Sequence, residues 1–201
     1  KKMEEQGVHT QTMLNPTAAS ILEDKLPSYH PDLDQSSLML QAKKAVPNVI
    51  DMTSVLKKHN DEPIYYRTDH HWTSLGAFYV YQEWLREKGI EPHEQSDYEI
   101  STLTDDFLGT TYSKVGYYPY KPDSLVSYYP KNLGEITIDY NNGKEISHDF
   151  YTRSYLKQKD KYPVYLNGNQ PVTTIQTSNR NGRKLLLVKD SYANTFAQFA
   201  I

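Results

Sequence analysis

The stretch Ile64-Tyr65-Tyr66-Arg67-Thr68-Asp69-His70-His71-Trp72-Thr73 joins a strand-like run to the start of a helix. The strand pattern covers residues 64–66, and the helix pattern runs from about Ser74 to Lys88, where Gly89 is a stop signal. A strand followed directly by a helix is the repeating unit of α/β folds. In such folds the functional side chains lie just past the carboxyl ends of the strands. We therefore expect the acid and the two imidazoles of this stretch to belong to a functional site.

The same order of elements recurs at the end of the chain. Residues 185–188, Leu-Leu-Leu-Val, predict a strand buried on both faces, and Ser191 follows it at the start of a last helix. If both strands belong to one parallel sheet, Ser191 and the acid–imidazole stretch lie at the same edge. A serine needs a base to act as a nucleophile near neutral pH, and His71 is a candidate. Asp69, two residues before it, can hold the tautomer of the imidazole.

The rest of the chain divides into two kinds of pattern. Strand-like and helix-like runs alternate up to residue 98, which predicts an α/β layer with parallel strands flanked by helices. Residues 99–183 carry short β-type runs between turn signals, of which Asn141-Asn142-Gly143 is the strongest hairpin signal, and we interpret them as a β-rich insertion. Residues 184–201 return to the α/β core. Both ends of the sequence lack their helix start or stop signals, so we expect a fragment of a longer protein.

Composition excludes several classes of function. The 201 residues suit one large domain or a domain with an insertion. The net charge of −3, with scattered Lys and Arg, gives no basic surface for nucleic acid. The absence of cysteine excludes thiol catalysis, disulfides and thiolate metal sites. The 18 tyrosines are typical of polar-polymer surfaces and of half-exposed β-structure alike.

Other interpretations of the polar residues stay open at this point. Asp69 and Ser191 can each be no more than helix caps. A metal site on Asp69, His70 and His71 is a further alternative, although the sequence offers it no clear further ligand nearby. We expect no metal and no other cofactor.

Five blocks of sequence, taken together and in order, resemble the bacterial DHHW proteins, a branch of the SGNH-hydrolase-like group that also contains the alginate O-acetylation proteins. The blocks are Asn15-Pro16-Thr17-Ala18 with Leu26-Pro27, the stretch 65–73 with Gly76-Ala77, Phe107-Leu108-Gly109-Thr110-Thr111-Tyr112-Ser113-Lys114, Asn167-Gly168-Asn169-Gln170-Pro171, and Lys189-Asp190-Ser191-Tyr192-Ala193-Asn194.

The resemblance implies a circularly permuted SGNH-like α/β fold, in which the Asp-His block precedes the Ser block. It implies that Ser191 is the nucleophile, His71 the general base and Asp69 the residue that orients it, with His70 as a spacer. One departure is Lys189, which stands where ordinary SGNH hydrolases have glycine.

The supporting residues of such a site are less sharply defined. The N–H groups of Ser191 and Tyr192 are candidate oxyanion donors, and the side chain of Asn169 is another, with a plain Asn-Gly turn as its alternative. Arg67 either binds an acidic sugar or pairs with a neighbouring carboxylate. Trp72 is expected to pack beneath the site.

The resulting expectation is a Ser-His-Asp O-acetyltransferase or acetylesterase that acts on a cell-surface or secreted polysaccharide through an acyl-enzyme. The family implies an extracytoplasmic location and a membrane-embedded acyltransferase as partner. The alternative is a non-catalytic polysaccharide-binding or assembly module, which the tyrosine-rich insertion suggests.

Overall fold

The computed structural model describes residues 2–31, 34–46, 48–116 and 121–201. Its helices are α1 (Ala18–Ile21), α2 (Gln35–Ala45), α3 (Thr53–Lys58), α4 (Ser74–Arg86), α5 (Thr110–Val115) and α6 (Ala193–Phe196). Its strands are β1 (Thr12–Leu14), β2 (Val49–Asp51), β3 (Tyr98–Phe107), β4 (Asp123–Pro130), β5 (Ile136–Tyr140), β6 (Glu145–Ser147) and β7 (Thr173–Thr177). Short 3₁₀ turns include Tyr162–Val164 and Ala197–Phe199. Within these residues no helix has both the length and the apolar character needed to cross a bilayer.

The strands form three small sheets. β1 and β2 pair in parallel, with Met13 opposite Ile50. β3 and β4 form an antiparallel pair, and β6, β5 and β7 form an antiparallel sheet in that order. The fold is therefore mixed α/β, but the predicted parallel sheet flanked by helices is reduced to one short parallel pair among the described residues.

Local signals in the sequence predict several elements well. Helix α4 begins after Thr73, whose hydroxyl accepts a hydrogen bond from the Gly76 N–H as an N-cap. The hairpin between β5 and β6 turns at Asn141 and Asn142, which both have φ of 57°. Asparagine tolerates this left-handed conformation better than other non-glycine residues, as a tight hairpin turn requires.

Two predicted strands are absent. Residues 64–66 form only an isolated antiparallel bridge, Tyr65 to Trp72, because the chain turns back on itself directly afterwards. Residues 185–188 form no strand and are exposed, Leu186 by 78% and Val188 by 91%. The prediction of a strand buried on both faces is therefore wrong for this structure. None of the described strands pairs with residues 185–188. A hydrophobic run forms a strand only where another strand pairs with it.

Two hydrophobic clusters form the interior. The first joins α3, α4 and the C-terminal segment, where Phe78 of α4 packs against Phe199 with ring centroids 5.4 Å apart. The second lies under β4, β5 and the turn Tyr162–Val164. Trp72 belongs to the first cluster and Tyr162 to the second, and both adjoin the candidate site described below.

Candidate active site

The acid–imidazole stretch is a tight loop closed by backbone hydrogen bonds. The Tyr66 N–H donates to the His71 carbonyl at 3.2 Å, and the Thr73 N–H donates to the Ile64 carbonyl at 2.9 Å. Inside the loop, the N–H and hydroxyl of Thr68 both donate to Asp123 Oδ2, at 2.8 and 2.6 Å. Backbone hydrogen bonds thus close the loop, and Asp123 holds its middle. Both sets of contacts fix the segment that carries the aspartate and the two histidines.

Asp69, His71 and Ser191 lie in one hydrogen-bonded line. His71 Nδ1 is 2.5 Å from Asp69 Oδ1, and His71 Nε2 is 2.7 Å from Ser191 Oγ. The side chains of Asp69 and His71 are 1% and 5% exposed, whereas Ser191 is half-buried and open to solvent on one side. With the proton on Nδ1, held by the carboxylate, Nε2 is free to accept the serine proton.

The second oxygen of Asp69 is held by helix α5. The N–H and hydroxyl of Thr110 donate to Asp69 Oδ2 at 2.8 and 2.9 Å, and the His71 N–H donates to Oδ1 at 3.0 Å. Burial works to raise the pKa of Asp69, but the hydrogen bonds from His71 and Thr110 outweigh it and hold the pKa below its ordinary value. Asp69 is therefore ionised at neutral pH and serves as a fixed acceptor.

Glycine is required immediately before Thr110. A Cβ built on Gly109 would lie 2.7 Å from Asp69 Cγ and closer still to Asp69 Cβ and Oδ2. Backbone and carboxylate can approach this closely because position 109 has no side chain.

Aromatic side chains, rather than a shared sheet, bring the serine to the loop. The Trp72 indole N–H donates to the Tyr192 carbonyl at 2.9 Å and to Thr195 Oγ1 at 2.7 Å. In the other direction, the Tyr192 hydroxyl donates to the His70 carbonyl. Trp72 is fully buried, which confirms that it packs beneath the site.

Two further candidate oxyanion donors, the Tyr192 N–H and the Asn169 side chain, differ in the hydrogen bonds that they already make. The Tyr192 N–H donates to Asp190 Oδ1 at 3.0 Å, because Asp190 forms a local turn with its own side chain, so this amide is already engaged. Asn169 is exposed, and its Oδ1 accepts from Lys189 Nζ and Asn194 Nδ2, both at 3.3 Å. These contacts fix the orientation of the Asn169 amide.

Lys189 has a structural role in this arrangement. Its ammonium also donates to Asn194 Oδ1 and to the Asp190 carbonyl. Partial burial lowers the pKa of Lys189, and the charge of Asp190 offsets part of that effect. Lys189 therefore ties together the segment around the serine.

Arg67 forms an ion pair rather than pointing at the serine. Its Nε donates to Asp123 Oδ1 at 3.2 Å, and its terminal nitrogen donates to the Pro122 carbonyl at 3.1 Å. The side chain is 58% exposed. Of the two sequence-based alternatives for Arg67, the structure supports the pairing with a neighbouring carboxylate.

His70 is more than a spacer. Its ring lies 3.8 Å from that of His71, and its Nδ1 is 2.7 Å from Thr110 Oγ1. Burial and the neighbouring His71 lower the pKa of His70. Asp69, His70 and His71 bring ligand-type atoms within 4.8 Å of one another, but the hydrogen bonds already described use both oxygens of Asp69 and both nitrogens of His71. The cluster is arranged as a hydrogen-bonded relay rather than as a ligand set.

Sequence reasoning missed two residues of the site, Thr110 and Tyr162. Thr110 lies in a block that resembles the family, and the glycine before it was the available signal of close packing. Tyr162, whose ring stacks on His71, is one of 18 tyrosines, and no local pattern distinguishes it.

Comparisons with known proteins agree with this fold. The family profile described as DHHW protein matches residues 10–201. No curated protein sequence matches the chain significantly. A solved DHHW family protein from Eubacterium siraeum is 27% identical with a TM-score of 0.80, over 98% of this chain and 68% of that chain. Bacillus cereus PatB1, in a structure with a sulfonyl adduct, is 24% identical with a TM-score of 0.74, over 98% of this chain and 70% of that chain.

The fold and site define a mixed α/β protein in which a serine, a histidine and an aspartate from opposite ends of the chain form one hydrogen-bonded line. The chain belongs to the DHHW family.

Proposed function

We propose that this protein is an SGNH-type O-acetyltransferase or acetylesterase with Ser191 as nucleophile, His71 as general base and Asp69 as orienting acid. The hydrogen-bonded line Asp69 Oδ1–His71–Ser191 Oγ is the observation that carries the proposal. The line has the order of contacts that activates a serine hydroxyl. The Asp-His block before the Ser block is also the order expected of a circularly permuted SGNH fold.

The proposed reaction has two halves. As Ser191 Oγ attacks the acetyl carbonyl carbon, its proton passes to His71 Nε2; the bond to the leaving oxygen then breaks, and His71 returns the proton to that oxygen. In the second half, His71 takes a proton from a sugar hydroxyl or from water, whose oxygen attacks the acetyl-serine; the bond between the acetyl carbon and Ser191 Oγ then breaks, and His71 returns the proton to Ser191 Oγ. Asp69 keeps its negative charge throughout and stabilises the imidazolium, in line with its lowered pKa.

The segment around the serine offers donors for the negative charge that develops on the acetyl oxygen. The Ser191 N–H is one candidate, and Asn169 Nδ2 is the second, because its amide is oriented by Lys189 and Asn194. Arg67 and the Tyr192 N–H are not part of this proposal, since both are engaged elsewhere.

The substrate and setting follow from the family resemblance. We propose that the acceptor or substrate is a cell-surface or secreted polysaccharide, that the protein works outside the cytoplasm, and that a membrane-embedded acyltransferase delivers the acetyl group. The sulfonyl adduct of PatB1 supports the use of electrophilic probes here, because such groups react with activated nucleophiles.

Acetyl release from an activated ester, together with labelling by a fluorophosphonate, tests the catalytic part. Ser191→Ala is expected to lower both by at least about 10³-fold, because the nucleophile is lost. Ser124→Ala is the matched control, since Ser124 is exposed and its hydroxyl contacts Asp105 instead. Equal labelling and acetyl release in the Ser191→Ala protein would contradict the proposal.

The choice between transferase and esterase is tested by the fate of the acetyl group. Incubation with labelled acetyl donor and polysaccharide, followed by separation of polymer from free acetate, measures both products. Label on the polymer indicates a transferase and free acetate an esterase. Glycan binding without either product would favour the non-catalytic module.

A further inference from the structure

Tyr162 contacts both the base and the nucleophile segment. It begins the 3₁₀ turn Tyr162–Val164 in the β-rich part of the chain and is 5% exposed. Its ring is parallel to the imidazole of His71, with centroids 3.8 Å apart and an angle of 7° between the planes. Its hydroxyl donates to the backbone carbonyl of Ser191 at 3.0 Å. One side chain thus touches two of the three members of the hydrogen-bonded line.

The β-rich part of the chain supports Tyr162, whose ring also meets that of Tyr66, in the loop before His71, edge to face. Val164 and Tyr165 are fully buried, and the Val164 carbonyl accepts from the Thr152 N–H at 2.8 Å. Burial also raises the pKa of the Tyr162 hydroxyl well above its usual value, so the phenol keeps its proton and remains a donor. The Tyr162 side chain is therefore held in place and can align both the His71 ring and the Ser191 carbonyl.

We propose that Tyr162 is a positioning residue for the reaction of Ser191, an inference that rests on the proposed function. The ring fixes the plane of the His71 imidazole, and the hydroxyl fixes the carbonyl of the residue that carries the nucleophile. Together they set the separation of His71 Nε2 and Ser191 Oγ, now 2.7 Å. Misplacement of a reacting group by about 1 Å can cost about 10²-fold in rate, so loss of this alignment should slow the reaction.

Two substitutions separate the hydroxyl from the ring. Tyr162→Phe keeps the stacked ring and loses the bond to the Ser191 carbonyl, whereas Tyr162→Leu loses both. Tyr140→Phe is the control, because it removes the hydroxyl of another buried tyrosine in the second cluster. Each protein is assayed for fluorophosphonate labelling rate, for kcat and KM on an activated acetyl ester, and for thermal unfolding.

The expected results form a graded series. Tyr162→Phe lowers the labelling rate and kcat by about 3- to 10-fold, and Tyr162→Leu lowers them by about 10²-fold, with KM unchanged because the buried ring does not meet substrate. Tyr140→Phe behaves as the wild type.

The possible failures are distinguishable. If the wild type itself is not labelled at Ser191, the proposed function fails and this inference with it. If the wild type is labelled and both position-162 variants react at its rate, the role of Tyr162 alone is wrong. If Tyr162→Leu does not fold, the decision rests on Tyr162→Phe, for which an unchanged rate contradicts the proposal and a reduced kcat at constant KM supports it.

Discussion

Trp72 donates its indole N–H to the backbone carbonyl of Tyr192, 120 residues further along the chain, at 2.9 Å. The two residues directly follow His71 and Ser191, so this one bond holds base and nucleophile in register. The same indole N–H also contacts Thr195 Oγ1. The buried ring therefore joins the middle of the chain to its C-terminal segment. Its removal should lower both the free energy of unfolding and the reaction rate at Ser191.

Replacement of Trp72 by phenylalanine tests this link. We expect Trp72→Phe to lower the free energy of unfolding by about 1–3 kcal/mol, because the Tyr192 carbonyl and Thr195 Oγ1 both lose the hydrogen bond from the indole N–H. The fluorophosphonate labelling rate of Ser191 should fall by about 10-fold or more. Trp84→Phe is the matched control, since Trp84 is half-buried and its N–H bonds the side chain of Gln11. Equal labelling rates in the two variants would show that the indole contact does not align the site.

A methyl group at position 109 should displace Asp69. Gly109→Ala places a Cβ against the Asp69 side chain, so either the carboxylate or helix α5 must move. We expect the labelling rate to fall by about 10²-fold, as misplacement of a supporting group predicts. At Gly134, by contrast, an added Cβ meets only the side chain of Ser178, whose Oγ can rotate away and whose Cβ, 2.9 Å from the added atom, needs a small shift. Gly134→Ala should therefore label at nearly the wild-type rate, and an active Gly109→Ala protein would contradict the packing described.

The charge of Asp69 should make its contribution to stability depend on pH. Since the pKa of Asp69 is lowered in the folded state, its ionised form stabilises the fold above the pH range in which an unfolded aspartate titrates, and this contribution is lost as pH falls. Asp69→Asn should thus destabilise the protein near neutral pH, by about 1–3 kcal/mol, and less at about pH 3, where an unfolded aspartate is mostly protonated while the folded Asp69 is still ionised. Chemical denaturation at both pH values measures the difference between the two proteins. A gap that stays constant or widens in acid would contradict the assignment.

The same substitution should also slow the chemistry. Asparagine offers His71 a different hydrogen-bonding partner and no charge, and in a serine–histidine–aspartate site such a change typically costs about 10⁴-fold in kcat. The acetyl-ester assay at saturating substrate measures this. A loss of less than about 10-fold would mean that Asp69 does not hold the tautomer of His71.

Arg67 and Asp123 should differ in their effects although they form one ion pair. Asp123→Ala leaves the buried N–H of Thr68 without its acceptor, so we expect a loss of about 2–3 kcal/mol in the free energy of unfolding. Arg67→Ala removes a side chain that is more than half exposed and should cost less than about 1 kcal/mol. Thermal and chemical unfolding of the two variants compare these costs. A large rise in KM for Arg67→Ala would instead indicate that Arg67 binds an acidic sugar.

Local chemistry explains which parts of the fold could be predicted. The start of α4 follows from the Thr73 cap, and the β5–β6 hairpin follows from two asparagines that tolerate positive φ. These signals lie within a few residues of the element that they determine. Pairing between strands is decided by distant residues, and so the strand expected at residues 185–188 did not form although its composition favoured one.

The candidate site likewise combines features that the local sequence predicts with features that depend on distant contacts. Asp69, His71 and Ser191 could be named because their residue types and local spacing carry the chemistry, and the structure brings them together. How these residues are brought together could not be predicted, since the described part of the chain has no parallel sheet shared by the two segments. Contacts of Trp72 and Tyr192 join them instead. Tyr162 and Thr110 stayed unseen because each joins the site only through long-range packing.

The most direct test of the account is whether an acetyl group becomes attached to Ser191 during turnover. The protein is mixed with an activated acetyl ester, quenched in acid within the first turnover, digested and mapped by mass spectrometry. We predict one acetyl group on the peptide that contains Ser191, and its absence in the His71→Gln variant, which lacks the base. Turnover by the wild type with the acetyl group on another residue, or equal acetylation of Ser191 without His71, would contradict the central claim.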